Sequence, residues 1–275
     1  MQLTAGSAVV VLSEALAWAS PAFAGILRLG IRRRGSGRAV AALLPLVLFS
    51  AANAEAAPIY FNDFDGGETF EAGVTGGFSG AGAVESVQGF SILGAAFSGD
   101  FLRSTSAGNP AAASTLSLTG LAPNASIAVN ISFAVIDSWD GSSFPPSPDQ
   151  APDFFNVEIN GSSAFSESFT NLSTFGSVQS YAGPALAQEV ALGFETGSSR
   201  LDSAYALSVV GLTDGAGTVT IDFFASGSGW LGAAGSSGPE EESWAIDNVT
   251  VVPEPGTALL LGSGLALLVG CYRKV

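Results

Sequence analysis

The chain has 275 residues, 47% hydrophobic and only 12% charged, with a formal net charge of −15. It has no histidine and a single cysteine, Cys271, which excludes an internal disulfide, histidine-ligated zinc and a conventional Ser-His-Asp triad. Between residues 55 and 252, 22 Asp and Glu stand against two basic residues, Arg103 and Arg200; a body so acidic cannot neutralise phosphates and is unsuited to nucleic acid or to anionic membranes.

The N-terminal part reads as an export signal. Arg28, Arg32, Arg33, Arg34 and Arg38 precede an apolar run from Ala39 to Phe49, and Ala52-Asn53-Ala54 follows. A basic region, an apolar core and a small-x-small site make a secretory signal. Cleavage is expected after Ala54, with Ala56 as a nearby alternative. Residues 1–27 form an uncharged lead broken only by Glu14. Two explanations stand: translation starting near Leu29 or Ile31, or an additional hydrophobic segment around Ala8 to Leu27. The domain organisation expected is a leader over 1–54, a body over 55–251 and a tail over 252–275.

The body alternates in the manner of strands. Ile127, Val129, Ile131, Phe133 and Val135 interleave with small or polar residues, a period-two pattern with one buried face. Phe155, Val157 and Ile159 repeat it and run into Asn160-Gly161, a strong two-residue hairpin signal, with Phe165 and Phe169 on the return strand. Val219, Ile221 and Phe223 form another strand, and Trp244 to Val252 the last. Further candidates are Ile59 to Phe64, Ser91 to Phe97, Thr115 to Leu121 and Ala204 to Val210. The Gly/Ser/Ala stretches Gly73 to Ala83, Ser104 to Ser114 and Gly227 to Gly238 read as loops. No amphipathic helix is evident. The fold class expected is all-β, an antiparallel sandwich.

Asp137-Ser138-Trp139-Asp140-Gly141, Asp153-Phe154-Phe155-Asn156-Val157, the Asn160-Gly161 turn and the closing Ser243-Trp244-Ala245-Ile246-Asp247-Asn248-Val249 resemble the jelly-roll modules of galactose-binding-like and carbohydrate-binding surface domains. The resemblance implies a jelly-roll β-sandwich and, in such modules, a structural calcium between the first and last strands. Calcium takes six to eight hard oxygens, which an Asp/Asn/Gly turn supplies. Asp63, Asp65 and Glu68 cluster in one short stretch, and Asp247 shares strand parity with Val249 and Val251, which points it inward. These four are the expected calcium ligands; the alternative is that Asp247 caps a turn and the others are solvated. Asp137, Asp140 and Asp153 flank a Pro-rich stretch. They suit a second cation site or the rim of a glycan pocket in which Trp139 stacks on a sugar, against the plainer alternative of turn-forming aspartates and a core tryptophan. Glu240, Glu241 and Glu242 read as a solvated acidic loop.

The tail is the most specific signal. Pro253-Glu254-Pro255 is followed by an uncharged span from Gly256 to Tyr272, then Arg273 and Lys274. As a helix this span would be about 25 Å long, the short end of what crosses a bilayer, with the basic pair held on the cytoplasmic side. Pro-Glu-Pro, an apolar helix and a basic end in this order resemble the PEP-CTERM sorting domain of Gram-negative bacteria. The resemblance implies recognition by a membrane-embedded exosortase, membrane anchoring before processing, and a destination at the cell surface or in extracellular polysaccharide. The basic end is shorter than many in that family, and Cys271 lies within the span.

Three functional expectations follow. The first is an exported, non-enzymatic structural or interaction protein of the surface or matrix. The second is a calcium-dependent carbohydrate-binding module. The third is a glycoside hydrolase working through paired carboxylates.

Overall fold

In the computed structural model the described residues are 56–86, 97, 99–143, 152–173, 176–192, 201–230 and 242–254. The expected leader with Ala52 and Ala54, the candidate strand residues 91–96, most of the Pro-rich stretch, and the tail from Pro255 onward (Gly256, Tyr272, Arg273 and Lys274 included) lie outside the described residues. Among the described residues no helix is long and apolar enough to cross a membrane.

The described residues form strands and no helix. In chain order these are β1 (Tyr60–Asn62), β2 (Thr69–Phe70), β3 (Thr75–Gly80), β4 (Ala83–Ser86), β5 (Asp100–Ser104), β6 (Ser114–Thr119), β7 (Ser126–Asp137), β8 (Ser142–Ser143), β9 (Asp153–Ile159), β10 (Ser162–Phe169), β11 (Ser177–Val178), β12 (Ala185–Val190), β13 (Asp202–Leu212), β14 (Thr218–Ser226) and β15 (Glu242–Pro253). The larger sheet runs β12-β13-β7-β15-β1-β2, with β5 also against β15 and β4 against β5; the smaller runs β10-β9-β14-β6-β3; β8 and β11 pair separately. Every pairing is antiparallel. The chain passes repeatedly from one sheet to the other, as in β6 to β7, β7 to β9, β13 to β14 and β14 to β15.

Alternation explains which side chains meet between the sheets. Ile127, Val129, Ile131, Phe133 and Val135 of β7, with Tyr205, Leu207 and Val209 of β13, face Phe155, Val157 and Ile159 of β9 and Val219, Ile221 and Phe223 of β14 in one buried cluster. Aromatic contacts hold the sheets together: Phe133 stacks on Phe155 at 4.0 Å between centroids, and Trp244 meets Phe155 edge-on at 5.3 Å. A second, smaller cluster of Phe97, Phe101, Ala134, Ile136, Leu192, Ala204 and Ala245 covers the outer face of the larger sheet. This is why β7 is buried on both faces along its second half, although its sequence alternates.

The glycine-rich stretch expected to be a loop contains β3, which pairs with β6 from Thr75 to Gly80. Two glycines make this possible. At Gly76, with φ of 154°, a Cβ would fall 1.9 Å from the Ser117 carbonyl oxygen, and at Gly77 a Cβ would fall 2.7 Å from Glu68. The strand is thus built by residues that strand propensity disfavours.

β15 carries a bulge. Its pairing with β7 slips between Asp247 and Thr250, and Asn248 there adopts φ of 52°. The bulge reverses the pleat. Trp244 and Ile246 face the sandwich interior before it, and Val249 and Val251 after it. Asp247 therefore shares the outer face with Ala245, and the inward orientation expected from its parity with Val249 is corrected. Asn tolerates this left-handed backbone and β-branched residues do not. Asn248→Val is expected to lower unfolding free energy by about 1–3 kcal/mol, clearly more than Asn248→Gly, in guanidinium denaturation.

Candidate functional site

One end of the sandwich gathers acidic side chains from both sheets. Asp153 opens β9 in phase with Phe155, Val157 and Ile159, so it points between the sheets. Glu242 opens β15 in phase with Trp244 and Ile246 and points the same way. Asp140 lies just beyond β7, where Trp139 determines its position. The Trp139 ring is fully buried against Phe133, Phe169 and Trp230, and its indole N–H donates to the Ser243 carbonyl at 2.7 Å. Asn171 holds the turn before it, donating from Nδ2 to the Val135 and Asp137 carbonyls at 3.1 and 2.7 Å.

The result is a compact triad of acids. Carboxylate oxygens of Asp140, Asp153 and Glu242 all lie within 4.8 Å of one another, and no other such group of three or more occurs among the described residues. Asp153 and Glu242 are 0% and 3% exposed, while Asp140 is half-buried. Reciprocal bonds tie the crossover: the Asp140 N–H donates to Asp153 Oδ2 at 2.6 Å, and the Asp153 N–H donates to the Asp140 carbonyl at 2.6 Å. Asp153 Oδ1 is buried and has no hydrogen-bond partner among the described residues. Burial first, then the Glu242 charge, pushes the Asp153 carboxyl well above the usual carboxylate range, against the bond from the Asp140 N–H. Nearby, burial raises Asp202 to about 6, although its carboxylate accepts the Asp137 and Leu192 N–H groups and feels the Arg103 charge.

The expected sites are only partly assembled. Asp63, Asp65, Glu68 and Asp247 do not form a carboxylate group of this kind. Asp63 accepts the Asp65 N–H at 3.2 Å, Asp65 accepts the Asp100 N–H at 2.5 Å, and Asp247 accepts the Asn248 N–H at 2.6 Å within the bulge. Glu68 Oε1 accepts the Tyr60 hydroxyl at 2.8 Å and the Phe78 N–H at 3.2 Å. All four thus accept backbone N–H groups, Glu68 adds the Tyr60 hydroxyl, and their carboxylates do not gather into one group among the described residues. The glycan-stacking expectation for Trp139 is corrected as well, because a ring with no exposed surface cannot meet a sugar. Asp140 and Asp153 do come together, joined by Glu242, which is buried rather than part of a solvated loop. Asp137 is buried at the end of β7 in a left-handed conformation and stays outside the triad. The shared phase of Glu242 with Trp244 was the available signal for its inward placement.

A separate groove of about 430 Å³ opens beside β1, β3, β4 and β5, lined by Asn62, Phe64, Glu68, Phe78, Val84 and Leu102 together with glycines. Phe64 and Phe78 lie 5.5 Å apart there.

No protein-family model and no curated protein matches this chain. Among solved structures it is similar to the CBM22-1 xylan-binding domain from Paenibacillus barcinonensis Xyn10C, at 11% identity and a TM-score of 0.35 over 72% of this chain and 95% of that one. It is also similar to the K1 cleaved adhesin domain of Lys-gingipain from Porphyromonas gingivalis W83, at 12% identity and 0.33 over 71% and 98%. TmCBM61, solved with β-1,4-galactotriose, stands at 12% and 0.31 over 64% and 88%.

The raised carboxyls set a pH dependence. Asp153, facing Glu242 and Asp140, and Asp202, facing Asp137 and Arg103, bind protons more tightly folded than unfolded. Their contribution is fully present below the unfolded value near 4 and is lost as pH rises through the folded values, about 6 for Asp202. In chelator, thermal stability is expected to rise as pH falls from 8 to 5, and Asp153→Asn to flatten that rise in scanning calorimetry.

Proposed function

We propose that this chain is an exported, non-enzymatic protein of the cell surface or extracellular matrix, sorted through Pro253-Glu254-Pro255 by an exosortase-like enzyme. The observation that carries the reading is the way the sandwich ends. β15 continues into Pro253, which pairs with Ile127, and the Glu254 N–H donates to the Ser126 carbonyl at 3.0 Å. β15 thus runs directly into Pro253 and Glu254, and Pro253 is exposed where the strand leaves the sheet, an arrangement that supports access to the segment that follows. In this reading Gly256 to Tyr272 holds the chain in the membrane before processing, and Arg273 and Lys274 remain on the cytoplasmic side. The acidic body then stands outside, where its charge keeps it soluble and repels anionic lipid.

The groove beside β1 and β3 favours a second reading, a polysaccharide-binding module. Two phenylalanines offer apolar faces to the C–H side of a sugar, Glu68 brings a carboxylate acceptor for hydroxyls, and the glycines keep the wall low enough for a chain to lie along it.

Mass spectrometry of the mature C-terminus tests the sorting role. The expected product ends near Pro-Glu-Pro in a host with the sorting enzyme and keeps Val275 in one without it; an intact Lys274-Val275 end in both hosts contradicts the reading. On a glycan array, Phe64→Ala is expected to abolish any saturable binding made through the groove while leaving the fold's near-ultraviolet circular dichroism intact.

A further inference from the structure

We propose that Asp140, Asp153 and Glu242 form a divalent-cation site, of the calcium class, that ties the two sheets together at the end of the sandwich remote from Pro253. The inference is independent of export and of glycan binding.

Three acids alone would be ordinary on so acidic a chain. This group differs in spacing, burial and valence. Oxygens that share one calcium at 2.3–2.6 Å cannot be more than about 5 Å apart, and the three carboxylates meet that limit, within 4.8 Å of one another. Two of the three are buried at a point where both sheets supply one, β9 giving Asp153 and β15 giving Glu242. Asp153 is fully buried with one oxygen bound by the Asp140 N–H and the other, Oδ1, without a hydrogen-bond partner among the described residues. A buried carboxylate oxygen left in that state is costly unless something positive approaches it. A cation answers the burial, the mutual repulsion with Glu242 and the unpartnered oxygen together.

The donor set favours calcium over softer or smaller ions. All three ligands are hard oxygens, and none of the imidazole or thiolate ligands preferred by zinc or copper is available in the body. Magnesium demands near-ideal octahedral geometry and gives up its waters reluctantly, whereas calcium accepts carboxylates arriving from separate backbone elements. Half-buried Asp140 leaves the site an open side through which waters complete the shell.

The mechanical consequence follows from the elements joined. The crossover leaving β7, the first residue of β9 and the first residue of β15 are already joined here by the Glu242–Asp137 strand pairing, the Asp140–Asp153 clamp and the Trp139 indole bond. A bound cation adds a link between the sheets at the point where the last strand enters the fold, and its free energy of binding becomes folding stability.

Terbium provides the test, because Trp139 precedes Asp140 and Trp244 follows Glu242 by two residues, so indole excitation sensitises an ion held there. The full chain in detergent is titrated with terbium alone and then with calcium or magnesium as competitor. The expected result is a saturable, single-site signal displaced by calcium well before magnesium. It should weaken about tenfold or more in Glu242→Gln and in Asp140→Asn, since even outer-shell changes cost a metal site about 10–100-fold. Asp140→Asn guards against misfolding, because the half-buried position tolerates the isosteric amide and calorimetry reports its fold. Asp63→Asn with Asp65→Asn should leave the signal unchanged. Absence of a saturable signal, or a signal kept in both triad variants, or one lost only with Asp63 and Asp65, would overturn the site.

Discussion

The pairing of β15 with β7 is the constraint on which the rest of the structure depends. β15 is the last strand of the body, yet it lies in the middle of the larger sheet, with β7 along one side and β5 and then β1 along the other. Its side chains supply Trp244, Ile246, Val249 and Val251 to the interior and Ala245 to the outer cluster. The same strand carries Glu242 into the acidic triad at one end and Pro253 to the surface at the other. Eleven residue steps of strand separate these ends by about 36 Å at roughly 3.3 Å per residue. Whatever holds the first residue of β15 is therefore coupled, through one strand interrupted only by its bulge, to the point where the chain leaves the sheet.

The interior is aromatic because the surface is short of alternatives. A body with almost no cations cannot rely on ion pairs, and Arg103 with Glu85, at 3.5 Å and half-exposed on the acid's side, is a minor contribution. Large rings instead bridge the sheets, with Phe133 at the centre of contacts to Phe155, Phe169, Trp139 and Tyr205. Trp139 shows how this packing shapes chemistry. Its ring is drawn into the core, its indole N–H ties down the start of β15, and the next residue, Asp140, is left facing Asp153.

Much of the strand content was legible in residues of strong alternation. β7, β9, β10, β14 and β15 stand where Ile127 to Val135, Phe155 to Ile159, Phe165 to Phe169, Val219 to Phe223 and Trp244 to Val252 place them. β4, β5 and β12 carry no strong alternation, and other unforeseen strands have particular origins. β3 is made of Thr-Gly-Gly-Phe-Ser-Gly and exists because its glycines admit Ser117 and Glu68 at distances that a Cβ would forbid. β2, β8 and β11 are two residues long, too short for any period to appear. The bulge at Asn248 was equally hidden, since parity counts residues and a bulge inserts one. That single insertion moved Asp247 to the opposite face from Val249.

Local pattern by itself determined the class of this protein: acidic, histidine-free, strand-rich, with its interior faces set by period-two alternation, because alternation is a property of neighbouring residues. The meeting of Asp140, Asp153 and Glu242 was decided only by tertiary structure. Asp140 and Asp153 lie close in sequence and read together as a candidate cation site, but Glu242 comes from a strand far along the chain and reads as part of a solvated acidic loop. Sheet order and the burial of Trp139 bring them within one ion's reach. The physical reason is that a carboxylate's neighbours, not its sequence context, decide whether it is solvated, protonated or held against a cation.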